Sequence, residues 1–426
     1  MAEEDGLHNQ RFKSGSTLAP FNYPIFVSIW FANVVAYVGA SAQNIGAAWL
    51  MTSLTPSHQM LALIQSSATL PIMLFGLFSG AIADNNNKRT IMLLSQTGMF
   101  VISLVLAIIT WLDMITPWPL AFLTLALGIG TALNAPAWQA SVRQQVSVRD
   151  LPQAISINTL AFNIARTVGP AVGGMVISIW SVATAFALNA LCRPFLILTV
   201  FRWRPNFPKP QRQPMFPAIG EGIAFCARSS PLRRVLIRGL VLGFGIAGYQ
   251  ALLPAVLRFQ LHSSEIAFGS LMMVFGTGSI FAALFISPAR RRWGTEMVLN
   301  VSTAGFVVAQ IVLANATSVL AALPATLIAG VAWVSTVTTL NVAMQVRSPH
   351  AMLGRCLSIY QTVTFGGLAI GSYFWGLMAD WYGLPVALEV AAVFLAITMP
   401  IMRILFPMPG RDEGRVDIDT SEITPI

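Results

Sequence analysis

The chain has 426 residues, 55% of them apolar and only 10% charged, against about 25% charged in an ordinary soluble domain. So few charges cannot cover a water-facing surface, which excludes a soluble globular protein and makes hydrocarbon the main solvent. The net charge of +9 does not imply a nucleic-acid partner, because its cations sit in short segments between apolar runs.

Residues 1–23 are expected to form an N-terminal tail, polar over 1–20, and no cleavable signal is expected ahead of the first apolar run. A membrane-crossing helix needs roughly 20 apolar residues, and twelve runs qualify. The first six are predicted at 24–50, 60–83, 90–112, 118–141, 152–180 and 182–201. A central loop at 202–234 opens on a Pro-rich stretch, and Ile219, Ile223 and Phe225 beyond it form the apolar side of an expected short surface helix. Six more runs are predicted at 235–257, 266–287, 297–315, 319–346, 353–379 and 384–406, before a tail at 407–426. The expected architecture is therefore all-α, twelve transmembrane helices in two six-helix halves, 24–201 and 235–406.

Lysine and arginine collect in the tails, in the central loop and in alternate connections such as Lys88, Arg89, Arg143, Arg149 and Arg290 to Arg292. The remaining connections hold a single cation, Arg258. By the positive-inside rule both termini are expected in the cytoplasm. With an offset of 202, Gly128 falls on Gly330, Gly169 on Gly371 and Gly174 on Gly376, as in two parallel repeats.

Three segments carry more specific information. GAIADNNNKR at 80–89 follows the second run and holds Gly80, Asp84, Lys88 and Arg89. ARTVGPAVGG at 165–174 combines Gly169, Gly173 and Gly174, which allow close helix approach, with Pro170, which removes a helical hydrogen bond. NAPAWQA at 134–140 is followed by LPQAISIN at 151–158. The first is similar to the major-facilitator loop pattern, departing at Asn85 and Asn87. The second resembles the antiporter signature, with alanine for its first glycine. A plain positive-inside loop and a generic helix kink are the alternative readings of these two. The succession as a whole resembles the major-facilitator branch that contains the enterobactin exporter. It is strongest over 80–190 and weak beyond 290.

The resemblance implies a twelve-helix transporter and proton-coupled export of a siderophore-like or amphipathic molecule. It also implies roles for the loop and the glycine motif in gating. In that fold the first, fourth, seventh and tenth helices line the cavity. The expected lining is Asn33, Tyr37 and Asn44 on one helical face, with Asn134, Arg166, Tyr249, Gln250, Trp333 and Tyr360. Buried charge in the runs is mainly positive (Arg166, Arg193, Arg238), which favours anionic or neutral polar cargo. Arg193 and Arg238 lie where their stems can snorkel to the cytoplasmic face. Glu389 and Asp84 are the carboxylates available for proton coupling, with a helix-end or ion-pair role the alternative for Glu389.

No phosphate loop, HExxH or Gly-x-Ser-x-Gly is present, and the four histidines fall in loops or tails. Neither an enzyme nor a cofactor is expected, and Cys192, Cys226 and Cys356 lack metal-ligand spacing. The expected partners are a small-molecule substrate, protons and membrane lipid, around a monomer in a bacterial inner membrane. A lysophospholipid transporter and a non-transporting sensor are the alternatives.

Overall fold

The computed structural model describes residues 16, 18–204, 215–349 and 352–408. Twelve α-helices are found in them: α1 Pro24–Leu54, α2 His58–Asn85, α3 Lys88–Trp111, α4 Pro117–Ser141, α5 Leu151–Ile179, α6 Val182–Arg202, α7 Met215–Arg228, α8 Ser230–Ala255, α9 Glu265–Ala314, α10 Val319–Arg347, α11 Leu353–Tyr382 and α12 Leu384–Leu405. In hydrocarbon a backbone that satisfies all its own hydrogen bonds is the stable solution, so the apolar runs become helices end to end. Their starts are marked by local chemistry. Ser57, Ser181 and Ser318 each accept a bond from an N–H in the first turn of the helix they cap, and proline opens α1, α4, α8 and α12.

Twelve helices are not twelve crossings one for one. α7 is a 14-residue amphipathic helix, too short to span. α9 is twice the usual length and is broken at Gly294, whose φ of 81° leaves the helical region. The sequence predicts a loop between the eighth and ninth spans. Helix instead continues through the basic segment, and the chain reverses at the one residue that tolerates positive φ without strain. With α9 counted as two arms, 265–293 and 295–314, the chain crosses twelve times and both described ends lie on one side, here called the terminal side.

On the opposite, far side, Trp111, Trp118, Trp180, Trp381 and Tyr382 stand exposed at helix ends, an aromatic belt at the level of the lipid headgroups. Between the sides, exposed Leu94, Phe122, Leu191, Leu284 and Ile404 face lipid.

Helices α1 to α6 pack among themselves, as do α8 to α12; α2 meets α11, and α5 meets the first arm of α9, across the division. The offset of 202 is visible in the packing. Gly128 brings α4 against Ser67 and Pro71 of α2, and Gly330 brings α10 against Phe275 of α9. Gly169 lies on Ser41 and Val38 of α1, and Gly371 on Phe244 and Ala247 of α8. Equivalent glycines make equivalent contacts in both halves because a helix backbone can approach that closely only where no Cβ intervenes.

Candidate functional site: the interface between the halves

The halves meet along two seams. In one, Gly174 of α5 lies against Gly269 of α9 so closely that a Cβ on either would overlap the other's Cα. In the other, Gly376 of α11 lies on Ala62 and on the backbone of His58 and Gln59 in α2. The second seam is polar. Ser66 Oγ donates to Ala369 O at 2.9 Å, and Gln65 Nε2 donates to Gln250 Oε1 of α8 at 3.4 Å.

The far ends of the seams are closed by side chains. Trp49 of α1 stacks on Phe268 of α9 at 5.8 Å, and the Arg258 guanidinium lies 5.5 Å from the Trp49 ring. The Asp380 carboxylate, at the far end of α11, accepts bonds from the N–H groups of His58 and Gln59 (2.6 and 3.0 Å) and from Ser57 Oγ (2.8 Å); His58 Nδ1 lies 2.9 Å away. Burial raises this carboxyl's pKa, but these donors outweigh it and hold the group below the usual carboxylate value. Towards the terminal side Met73 meets Gly366 and Gly76 meets Thr362. Beyond them a cavity of about 400 Å³ opens between α7, α8 and α11. Its walls are Ile223, Cys226, Leu236, Ile359, Thr362 and Val363, with Arg233 at one edge.

The expected lining residues separate into groups. Asn33 and Tyr37 hydrogen-bond to each other on one face of α1. Asn44, 20° from Asn33 around the helix at about 100° per residue, is exposed and points away from lipid-facing Phe31 and Val35. Asn134 Oδ1 on α4 and Gln250 Nε2 on α8 are buried with no hydrogen-bond partner among the described residues, as are Thr336 Oγ1 and Thr339 Oγ1 on α10. Unpaired amides and hydroxyls are costly in a membrane interior. Trp333 is buried on α10. Tyr249 is fully buried and donates to Thr326 Oγ1 at 3.0 Å inside the C-terminal half, and the Tyr360 hydroxyl approaches Val337 O at 3.5 Å. The side chains of Arg166, Pro170 and Asp84, and Gly80, lie outside the described residues.

Two buried arginines stand differently from expectation. Arg193 does not snorkel: it is 5% exposed and donates to Gln96 Oε1 at 2.9 Å, within a buried polar group where Asn189 bonds Gln43 and Ser103. Arg238 is also buried; it pairs with Glu296 at 2.7 Å and donates to the carbonyls of Met402 and Phe406 at the end of α12. Desolvation makes an inward partner preferable to a stretched stem when acceptors are that near. Glu389 is exposed and accepts from Asn315 at 3.3 Å, a helix-end contact.

In the loop motif, Asn87 caps α3 by accepting from the Arg89 N–H. Arg89 donates to the carbonyls of Val200 and Phe201 and lies over the Phe201 ring, so in this arrangement it closes the end of α6 within its own half. Lys88 heads α3. In the fifth-span motif Gly169 and Gly173 seat α5 on α1, a Cβ on Gly173 falling 2.7 Å from Ala42 Cα, while Gly174 reaches the other half. Glu296 and the Asp380 corner escaped the sequence reading. Both are charges at the rims of apolar runs, where solvation is the default expectation, and the one local signal was Ser57 as a helix cap.

Comparison with known proteins agrees with this architecture. The transmembrane secretion effector family matches residues 15–422. A staphyloferrin A transporter of Staphylococcus aureus is 22% identical over 86% of this chain and 93% of its own length. The multidrug efflux pump Tap of Mycolicibacterium fortuitum is 24% identical over 88% and 92%. A crystal structure of a nucleoside transporter, a mutant of NupG, superposes with a TM-score of 0.75 at 12% identity, covering 90% of this chain and all of the other. The chain belongs to the transmembrane secretion effector family of the major facilitator superfamily, and it is a membrane efflux transporter rather than an enzyme.

Proposed function

We propose that the protein exports a siderophore-like or amphipathic organic molecule, anionic or neutral and polar, by proton-coupled alternating access. The observation that carries this reading is the pair of glycine-lined seams. Two rigid halves joined along backbone-close contacts can roll on each other with the side-chain contacts to remake concentrated at the polar seam. The positive-inside charge pattern puts the terminal side in the cytoplasm of a bacterial cell, with the far side outward. The arrangement described is then closed outward and receptive inward.

Asn44, Asn134 and Gln250, with Thr336 and Thr339 on α10, present neutral hydrogen-bonding groups along the proposed path. Arg166 on α5 would add positive charge. Neutral donors and acceptors select for shape and polar pattern, and a cation adds preference for an anion. The staphyloferrin A transporter and Tap support the pairing of siderophore with drug-like cargo.

The test is accumulation of siderophores and drugs in inside-out vesicles with an imposed proton gradient. Gradient-dependent uptake abolished by a protonophore is expected. Absence of uptake across a panel of both compound classes would sink the proposal. A second reading, lysophospholipid transport, is favoured by the apolar cavity beneath α7, and release of labelled lysolipid from the inner leaflet distinguishes it.

A further inference from the structure

The Asp380 corner joins groups from both halves in a way that no other described contact does. Ser57 ends the connection between α1 and α2, so His58 and Gln59 supply the first N–H groups of α2. These N–H groups have no acceptor within their own helix. Here the acceptor comes from the opposite half: both carboxylate oxygens of Asp380 are used, Oδ1 by the His58 N–H and ring and Oδ2 by the Gln59 N–H and Ser57 hydroxyl. A carboxylate at a helix N-terminus is also favoured by the helix dipole. Gln59 Nε2 adds a bond to Tyr373 Oη on α11 at 2.6 Å, and the His58 ring meets Phe259, at the turn after α8, edge to face at 5.6 Å.

The residues that need this cap and the residue that provides it are separated by the seam. When the far side opens, α2 and α11 part at this end, and four hydrogen bonds to one carboxylate are lost together. Ser57 remains in place on its own half: its hydroxyl, which already accepts from the Met60 N–H at 3.3 Å, is the local substitute cap. The 202 offset puts Ser178 on the other seam where Asp380 stands on this one, so the charged cap belongs to the α2–α11 seam.

We propose that Asp380 is the gating residue of the far side, a cap lent by α11 to the N-terminus of α2 that holds that side shut and is withdrawn each time it opens. This rests on the alternating-access reading. Its role is positional: it sets the ratio of the two arrangements and does not touch cargo.

The experiment is a pair of distance measurements by pulsed electron spin resonance on the full chain in nanodiscs, with Cys192, Cys226 and Cys356 replaced. Spin labels at Met114 and Leu320, both exposed on the far side, report its opening. Labels at Ser147 and Trp293, both exposed on the terminal side, report the opposite change. Asp380→Asn keeps the size but removes the charge. It is expected to move the closed-to-open ratio by about tenfold, the scale of one lost charge-assisted cap, with far-side distances lengthening and terminal-side distances shortening together. Asp380→Glu should fall between Asn and wild type.

If the wild type shows two arrangements and Asp380→Asn leaves their ratio unchanged, the latch is wrong and alternating access stands. If the wild type shows a single arrangement with and without a proton gradient or cargo, both fall. Should Asp380→Asn not reach the membrane, Ser57→Ala with His58→Ala keeps the carboxylate and both backbone donors. A shift of about threefold in the same direction supports the proposal, and no shift overturns it.

Discussion

The two seams are related by the internal repeat yet built differently. Where α5 meets α9, glycine lies on glycine, Gly174 on Gly269, and each backbone is the other's neighbour. Where α2 meets α11, Gly376 meets a methyl group, and Ser66, Gln65 and the Asp380 corner add hydrogen bonds. At the glycine contact the first is a smooth bearing shaped by the two backbones, closed at its far end by the Trp49–Phe268 stack. The second must exchange polar partners whenever the halves move, which is where a preference between arrangements is set. Two copies of one fold thus divide two tasks, motion and bias.

The sharpest way to break the bearing is to fill it. Gly174→Leu puts a branched side chain into Gly269 Cα, where no rotamer relieves the overlap, and should trap the far side open. Efflux is expected to fall at least tenfold in vesicles at unchanged protein level. Full activity would show that the seam is not closed during transport.

The polar seam should behave differently under the same insult. Gly376→Ala drives a methyl into Ala62 Cβ, and Ala62→Gly removes that neighbour. Gly376→Ala alone should lower efflux several-fold, and the double variant should recover most of it. Gly174→Ala has no such rescue, because its neighbour is already glycine. Equal behaviour of the two seams would erase the distinction.

Ser66→Ala takes one hydrogen bond from the polar seam. Such bonds between helices contribute about 0.6 kcal/mol on average in membrane proteins, so the arrangement ratio should shift by roughly threefold, away from far-side closure. A tenfold change would put Ser66 level with the Asp380 corner and erase the corner's special role.

The smallest effect concerns pH. The ionisable groups at this end of the three elements are Asp380, Tyr373 and Tyr382 on α11, His58 on α2, and Arg258 and His262 on the turn after α8. In a His58→Ala, His262→Ala background the carboxyl is the one of these that titrates in the acid range. The Asp380 carboxyl is lowered in the latched arrangement. Its contribution is therefore complete above the ordinary carboxylate value and is lost as pH falls through the lowered one. Far-side closure in that background should be constant from about pH 8 to 5 and weaken only below about pH 4. The same distance pair measures it, and a transition near neutrality would assign the titration to another group.

Much of this was legible in the residues. Low charge required hydrocarbon solvent, run length set the number of crossings, and the glycine offset showed the repeat, because each follows from a local rule of period, length or size. The glycines of the fifth span were legible as a close contact, although not as two contacts on two helices. The site was less legible. Tyr249, expected on the cavity wall, is bonded to Thr326 inside its half, since helical spacing fixes a face and says nothing of which neighbour that face meets.

What the sequence alone determined is therefore the medium, the number of crossings and the family-level plan: these depend on composition and short-range pattern, which lipid enforces without tertiary detail. What only the tertiary structure decided is the fate of the charges within the apolar runs and at their rims. Arg238 found Glu296, Arg193 found Gln96, and Asp380 found the start of α2. Each pairing joins residues dozens to hundreds of positions apart, and a charge near a membrane edge has two nearly equal options, water or a partner. The choice is made by which helix end arrives beside it.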